Sequence, residues 1–321
     1  MKYPVATCAL VLLTALGLGT LPLLAQDIED DFNDGDDAGW SRYLPLQAFG
    51  APATFSFPDG NSYRIQSAAS PDPGQLGPAR AGAHQEATVY EAFRVEADLV
   101  NWDNDLGQDI GVLGSLSSVG LGTTNGYAFT YDTNAEGAYL SVVTGEQPTT
   151  LSSSPVILVP GQSYRFVLQG FFDADNFVGE LRGEIFELND LENPLVSVPG
   201  FDFSYPTGTC GLFNTSTSDA GVTDATFDNY FSTPVTDVDR DGMTDQWEFD
   251  YFGELFWFAE EDFDGDGQTN LAEFLAGTDP TDPADPAVQA PGLVVNEDLG
   301  TLGVGSVALV GDTGAGADNA Q

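Results

Sequence analysis

Two twelve-residue stretches carry residue types at a spacing that implies chemistry. The first reads Asp237-Val238-Asp239-Arg240-Asp241-Gly242-Met243-Thr244-Asp245-Gln246-Trp247-Glu248, with acids at positions 1, 3, 5, 9 and 12 and glycine at 6. The second starts 25 residues later and reads Asp262-Phe263-Asp264-Gly265-Asp266-Gly267-Gln268-Thr269-Asn270-Leu271-Ala272-Glu273. Such a row of oxygens suits calcium, a hard cation that takes about six to eight oxygen ligands. Asp237, Asp239 and Asp241, and in the repeat Asp262, Asp264 and Asp266, are the expected monodentate carboxylates. Met243 and Gln268 offer backbone carbonyls, Asp245 and Asn270 act through water, and Glu248 and Glu273 reach back with both oxygens. Gly242 and Gly267 permit the sharp turn at positive φ. Like unit charges ~5 Å apart repel by about 3 kcal/mol at an effective dielectric of ~20. Five acids in one loop and four in the other therefore call for a cation.

Short helices should follow the loops and position their last ligands. The first is expected from about Thr244 to Tyr251, ending near Gly253. The second is expected from Asn270 to Ala276, with Gly277 as the left-handed stop before Pro280. Trp247, Tyr251, Leu271, Phe274 and Leu275 fall at helical spacing and are expected to pack the two helices together. No good entering helix precedes the first loop, so each EF-hand-like unit is a loop with an exit helix. This arrangement resembles dockerin modules and thrombospondin type 3 calcium repeats. Glutamate at position 12, where dockerins usually carry aspartate, favours a structural calcium spacer. A docking tag for a surface protein partner is the alternative the resemblance implies.

The preceding two hundred residues are rich in Gly, Ser, Thr and aromatics. Phe93, Val95, Ala97 and Leu99 alternate with charges, as do Tyr164, Phe166 and Leu168, and Tyr127, Phe129 and Tyr131 share a face. Period-two alternation marks half-buried strands. Pro58-Asp59-Gly60-Asn61, Thr124-Asn125-Gly126, Val159-Pro160-Gly161 and Val198-Pro199-Gly200 read as turns. The expected fold is mainly β: an antiparallel β-sandwich (jelly roll), then a small two-helix calcium-loop module and a short β C-terminal segment. The expected boundaries are a leader at 1–25, the sandwich at 26–232, the paired calcium loops at 233–280, a Pro/Asp-rich linker at 281–292 and a β segment at 293–321. That last segment reads as a further domain cut short or a small satellite.

Asp30-Asp31-Phe32-Asn33-Asp34-Gly35, Gly39-Trp40, the run Phe93 to Trp102, Cys210-Gly211-Leu212-Phe213 and Ala225-Thr226-Phe227-Asp228-Asn229-Tyr230 together resemble the concanavalin A-like (laminin G-like) jelly rolls of secreted bacterial proteins. Lectins, carbohydrate-binding modules, glycosidases and plain spacers all use that fold. In related jelly rolls the first and last strands pair, which implies a third calcium near Glu29, Asp31 and Asp228. Sugar stacking needs an exposed flat aromatic beside polar groups. Trp102, Tyr131 and Tyr139 are the candidates, with core packing as the alternative for each.

Catalysis finds little support, and no catalytic residue is expected. His84 is the only histidine and reads as a surface loop residue. No Gly-x-Ser-x-Gly elbow occurs. Glu184 and Glu187 are three apart, so a regular strand points them to opposite faces and denies the ~5 Å separation that a retaining glycosidase needs. Lys2, the apolar run Val5 to Leu24 and Ala25 form a secretory leader, and no later segment is apolar enough to span a bilayer. Once the leader is removed, Cys210 is the only cysteine and reads as a small buried hydrophobe. The formal net charge of −42 disfavours nucleic acid and anionic membrane as partners. The expected function is calcium binding outside the cell, with cell-surface adhesion or carbohydrate binding. The alternatives are a glycan-active hydrolase and a dockerin-like docking module.

Overall fold

Fifteen strands form among the described residues, wherever apolar side chains alternate with polar ones. They are β1 (Ile28–Asp30), β2 (Trp40–Tyr43), β3 (Ala53–Ser56), β4 (Tyr63–Ser67), β5 (Arg80–Gln85), β6 (Phe93–Trp102), β7 (Gln108–Ser118), β8 (Asn125–Asp132), β9 (Gly137–Thr144), β10 (Gln147–Pro155), β11 (Tyr164–Asp173), β12 (Val178–Glu187), β13 (Val196–Phe201), β14 (Thr209–Ser216) and β15 (Thr223–Pro234). The helices are α1 (Pro73–Leu76), α2 (Asp245–Phe252) and α3 (Asn270–Ala276). The computed structural model describes residues 26–173, 177–237, 241–255 and 257–285. The expected leader, loop position 3 at Asp239, and the predicted strands of 293–321 lie outside the described residues.

All strand pairs are antiparallel. One sheet runs β13-β12-β11-β6-β15-β4-β3, and β1 pairs β15 where β4 leaves off. The other runs β10-β9-β8-β7-β14-β5-β2. Their inner faces supply one core. Tyr63, Phe93, Val95, Leu99, Phe166 and Ile185 come from the first sheet and Ile110, Val112, Tyr127, Phe129, Leu140 and Leu212 from the second. The sheets meet so closely that a Cβ on Gly183 would lie 2.1 Å from the Phe129 ring. Burying each large side chain contributes about 1.5–3 kcal/mol, so this layer carries the stability of a fold without a disulfide.

Several local expectations change. His84 lies in β5, between β14 and β2, and is buried. The run Arg80-Ala-Gly-Ala-His-Gln is poor in β-formers, but its neighbours demand small residues. A Cβ on Gly82 would stand 2.6 Å from the Leu212 carbonyl. Val198-Pro199-Gly200 belongs to edge strand β13, where proline is tolerated because one side has no ladder to serve. Asn125-Gly126 opens β8 instead of forming a free turn. The last strand runs past the expected sandwich boundary at 232, since Ser232, Thr233 and Pro234 pair with Val95, Arg94 and Phe93.

The chain divides into two units, 1–259 and 260–321. The boundary falls between the two acidic loops, so α2 belongs with the sandwich. Phe249 of α2 packs on Phe171 of β11 with ring centroids 5.2 Å apart, and Leu255 joins the same cluster. Both helices end as their sequences require, with Gly253 and Gly277 in the left-handed region. Trp247 stacks within its own helix, 5.0 Å from Tyr251. Leu275 is 74% exposed and does not pack as expected.

Candidate functional site

The second acidic loop, 262–273, is described throughout. Backbone N–H groups of Gly265 and Gly267 donate to the two oxygens of Asp262 at 2.7 and 2.9 Å. Asp266 N–H donates to Asp264 Oδ1 at 3.1 Å and Gln268 N–H to Asp266 Oδ1 at 2.7 Å. Asp262 thus spends both oxygens on the loop, whereas Asp264 and Asp266 each spend one and leave the other without a partner. Gly265 and Gly267 stand at φ 79 and 100, which the curl requires. Asn270 N–H closes the loop onto the Glu261 carbonyl at 2.7 Å.

Asp262, Asp264 and Asp266 bring one oxygen each within 4.8 Å of one another. Asp264 Oδ2, Asp266 Oδ2 and Glu273 Oε2 are buried and accept no hydrogen bond. A buried acceptor without a partner costs roughly 1–3 kcal/mol, more if charged. Burial, with Asp264 and Asp266 nearby, pushes the Glu273 carboxyl up to about 7. These orphaned oxygens at positions 3, 5 and 12 fit a hard dication.

The first loop follows the same plan. Asp245 N–H donates to the Thr236 carbonyl at 2.9 Å, matching the Asn270 closure. Gly242 N–H donates to Asp237 Oδ2 at 3.1 Å and Met243 N–H to Asp241 Oδ1 at 2.9 Å. Asp245 and Glu248 are fully buried on one turn of α2, as Asn270 and Glu273 are on α3. At the expected third site Asp31 lies close enough to Asp228 to help raise its carboxyl, after burial and Asp98, but Glu29, Asp31 and Asp228 do not form a group of three clustered ligands. β1 and β15 pair as the resemblance implies, but through Glu29 against Phe231. Asp31 turns back onto Asn33, and Asp228 accepts from the Asn229 N–H. Among the described residues the one group of three clustered ligands is Asp262, Asp264 and Asp266.

A second feature lies on the outer face of the seven-stranded sheet. Residues alternating with the core ladder open into a cleft of ≈ 590 Å³. Register fixes two rungs of its floor. Arg80, Thr215, Asp109 and Asp132 stand side by side on β5, β14, β7 and β8. Along the next rung come Tyr43, Gly82, Phe213, Gly111, Thr130 and Tyr139. A Cβ on Gly82 would stand 3.3 Å from the Phe213 ring, so the missing side chain leaves room for that ring.

The electrostatics of the cleft are uneven. Arg80 forms a bidentate pair with Glu146, both contacts at 2.9 Å. Glu146 lies in the β9–β10 turn, and β8, β7 and β14 separate β9 from β5. The pair therefore spans the face. Burial pushes Arg80 down and Glu146 up, toward their neutral forms, and the two-point contact offsets this. Burial also pushes His84 down, so it is neutral. Asp109 is pushed up to about 7, by burial and then by Asp132. Tyr43 Oη and His84 Nδ1 are buried without a hydrogen-bond partner.

Of the aromatics expected to stack on sugar, Tyr139 lines this cleft. Trp102 and Tyr131 are core residues, 5% and 1% exposed, and offer no free face. Trp102 stays in the core because its strand turns that side inward, with Nε1 donating to Asn104 at 3.2 Å. Glu184 and Glu187 stand on β12 without a bulge, one opposite Val167 and the other opposite Tyr164, so they point to opposite faces. Cys210 is fully buried and its thiol is pushed up to about 12 by burial. Sequence reasoning missed Tyr43, Arg80, Asp109, Asp132 and Glu146. The signal available was alternation, since Asp109 and Asp132 each adjoin a core residue, Ile110 and Tyr131.

No protein-family model matches the chain, and no curated protein matches it. Solved structures do. A carbohydrate-binding module, CBM66 of Bacillus subtilis, is 12% identical with a TM-score of 0.42, over 61% of this chain and 96% of that one. Lectin II from Ulex europaeus is 9% identical with a TM-score of 0.40, over 65% and 97%. A prokaryotic β-1,3-1,4-glucanase (lichenase) from a mouse hindgut metagenome is 9% identical with a TM-score of 0.43, over 65% and 99%. At these values the likeness carries nothing about ligand or activity.

Proposed function

We propose that the chain is a calcium-binding protein of the cell exterior whose sandwich holds a glycan. The observation that carries calcium binding is the set of unpartnered oxygens of Asp264, Asp266 and Glu273 in the second loop. Asp262, the Gln268 carbonyl and Asn270 complete the set, and the first loop repeats it with Asp237, Asp239, Asp241, Met243, Asp245 and Glu248. Both serve as constitutive sites, for which affinity of ~10⁻⁴ to 10⁻³ M suffices outside a cell. The loop-plus-exit-helix layout is that of a structural spacer in the manner of dockerin and thrombospondin type 3 repeats. Calorimetric titration of calcium into the chelator-treated chain tests this. Heat and a gain in helix are expected, and silence in both would end the calcium reading.

The glycan reading rests on the cleft. Its rings at Tyr43, Phe213 and Tyr139, its hydroxyls at Thr130 and Ser141, and the unpartnered Tyr43 Oη and His84 Nδ1 are what a stacked, hydrogen-bonded sugar requires. Calorimetry and array binding with the full chain test it, with product analysis alongside. Binding without turnover is the expected result. A panel with no bound sugar would refute it, and released product would move the chain to the hydrolases.

A further inference from the structure

The cleft is short of cations, and that narrows its ligand. The charged or titratable acid and base groups lining it are Arg80 and His84 on β5, Asp109 on β7, Asp132 on β8 and Glu146 in the β9–β10 turn, with the phenols of Tyr43 and Tyr139 on the flanks. Arg80 is consumed twice by Glu146 and twice more by the Leu76 and Pro78 carbonyls, at 2.8 and 2.9 Å. His84 is neutral. What remains is Asp109 and Asp132, directly opposite one another on adjacent strands and on the same face. Asp132 Oδ1 is held by the N–H groups of Asn134 and Ala135 at 2.8 and 3.0 Å. Among the described residues, Asp109 has neither a hydrogen-bond donor nor an ion-pair partner. Two carboxylates facing each other in a half-closed site repel, and among the described residues neither has a cation of the protein as an ion-pair partner.

The independent sign of a ligand comes from the next two rungs, with Tyr43 on the first and His84 on the second. Tyr43 and His84 are 8% and 9% exposed and line the cleft, yet Tyr43 Oη and His84 Nδ1 find no partner in the protein. Neutral polar atoms there call for hydroxyls, and the rings of Phe213 and Tyr139 on the same rung as Tyr43 call for a pyranose face. The carboxylate pair one rung away calls for a positive charge.

We propose that the cleft binds an amine-bearing sugar, a hexosamine unit with a free ammonium seated between Asp109 and Asp132. This rests on the glycan reading and adds the substrate class. The ammonium donates charge-assisted hydrogen bonds to both carboxylates, the ring lies along the rung that carries Phe213, Thr130 and Tyr139, and uronate or sulfated sugars are turned away by the same pair.

The test is calorimetry on the full, calcium-loaded chain with three β-1,4-linked trimers that differ only at C2. They are the de-N-acetylated chitin trimer (ammonium), the chitin trimer (acetamide) and cellotriose (hydroxyl). The expected result is binding of the ammonium form at least about tenfold tighter than the other two, as one added charge-assisted contact provides. In Asp109→Asn the preference should fall to within about twofold, and Asp132→Asn gives a second reading of the same loss. Near-UV circular dichroism confirms that both variants are folded. Equal binding of all three trimers overturns the ammonium proposal and leaves the glycan reading standing. Failure of all three to bind overturns the ammonium proposal, and a glycan array with no bound sugar overturns the glycan reading with it. A preference that survives in both variants shows that the acidic surface, not the cleft, attracts the amine, and overturns the proposal as well.

Discussion

Asp109→Asn should stabilise the protein at high pH and do nothing at low pH. Asp109 is desolvated on β7 and faces Asp132, which lifts its carboxyl from the usual 3.8 to about 7. A carboxyl raised in the folded state binds more protons there than in the unfolded chain between those two values. Stability therefore falls as pH climbs through that window. Moving the group from 3.8 to about 7 corresponds to about 4 kcal/mol at ~1.4 kcal/mol per pH unit. The side chain keeps some contact with solvent in the cleft, so roughly half, about 2 kcal/mol, is expected. The isosteric amide removes the charge and keeps the shape. Thermal unfolding at saturating calcium should show the variant about 4–8 °C above the parent near pH 8, at ~2–4 °C per kcal/mol for a domain of this size. The gain should shrink to nothing as the pH falls below 3.8, where both states of the parent are protonated. A gain equal at both pH values, or a loss near pH 8, would refute the reasoning. A binding site held at a cost to stability is the expected trade.

Three further outcomes follow from other residues. Arg80→Met leaves Glu146 buried without its guanidinium, and removing one partner of a buried pair costs about 3–5 kcal/mol. Chemical denaturation should read that loss, and the double variant with Glu146→Leu should recover most of it. Glu273→Gln removes one ligand oxygen's charge from the second loop. Calorimetry should lose the heat of one calcium site while the other persists, and an unchanged isotherm would exclude Glu273 as a ligand. Cys210, fully buried with its thiol pushed up to about 12, should react with a thiol reagent only at the rate of unfolding. Labelling of the native chain within minutes would contradict its place in the core.

The two acidic loops, their exit helices and the strand segments are written locally. Acids at alternate positions, Gly242 and Gly267 at the turn, and Gly253 and Gly277 at the helix ends need only their neighbours in the chain. The helices accordingly begin and end where the residues say. Alternation likewise placed Phe93, Val95 and Leu99 in one core with Tyr127 and Phe129. What alternation leaves open is the use of the other face. Asp109 and Asp132 sit 23 residues apart, and only the β7–β8 register sets them opposite each other. His84 looked like a loop residue because its strand is built of small residues, and the reason for those residues is the Leu212 carbonyl of a strand far along the chain. Trp102 and Tyr131 had the right chemistry for a sugar, but the sheet turned them inward. Pairing partners and the direction of burial are non-local quantities, so the cleft and its unbalanced charge belong to the tertiary structure alone.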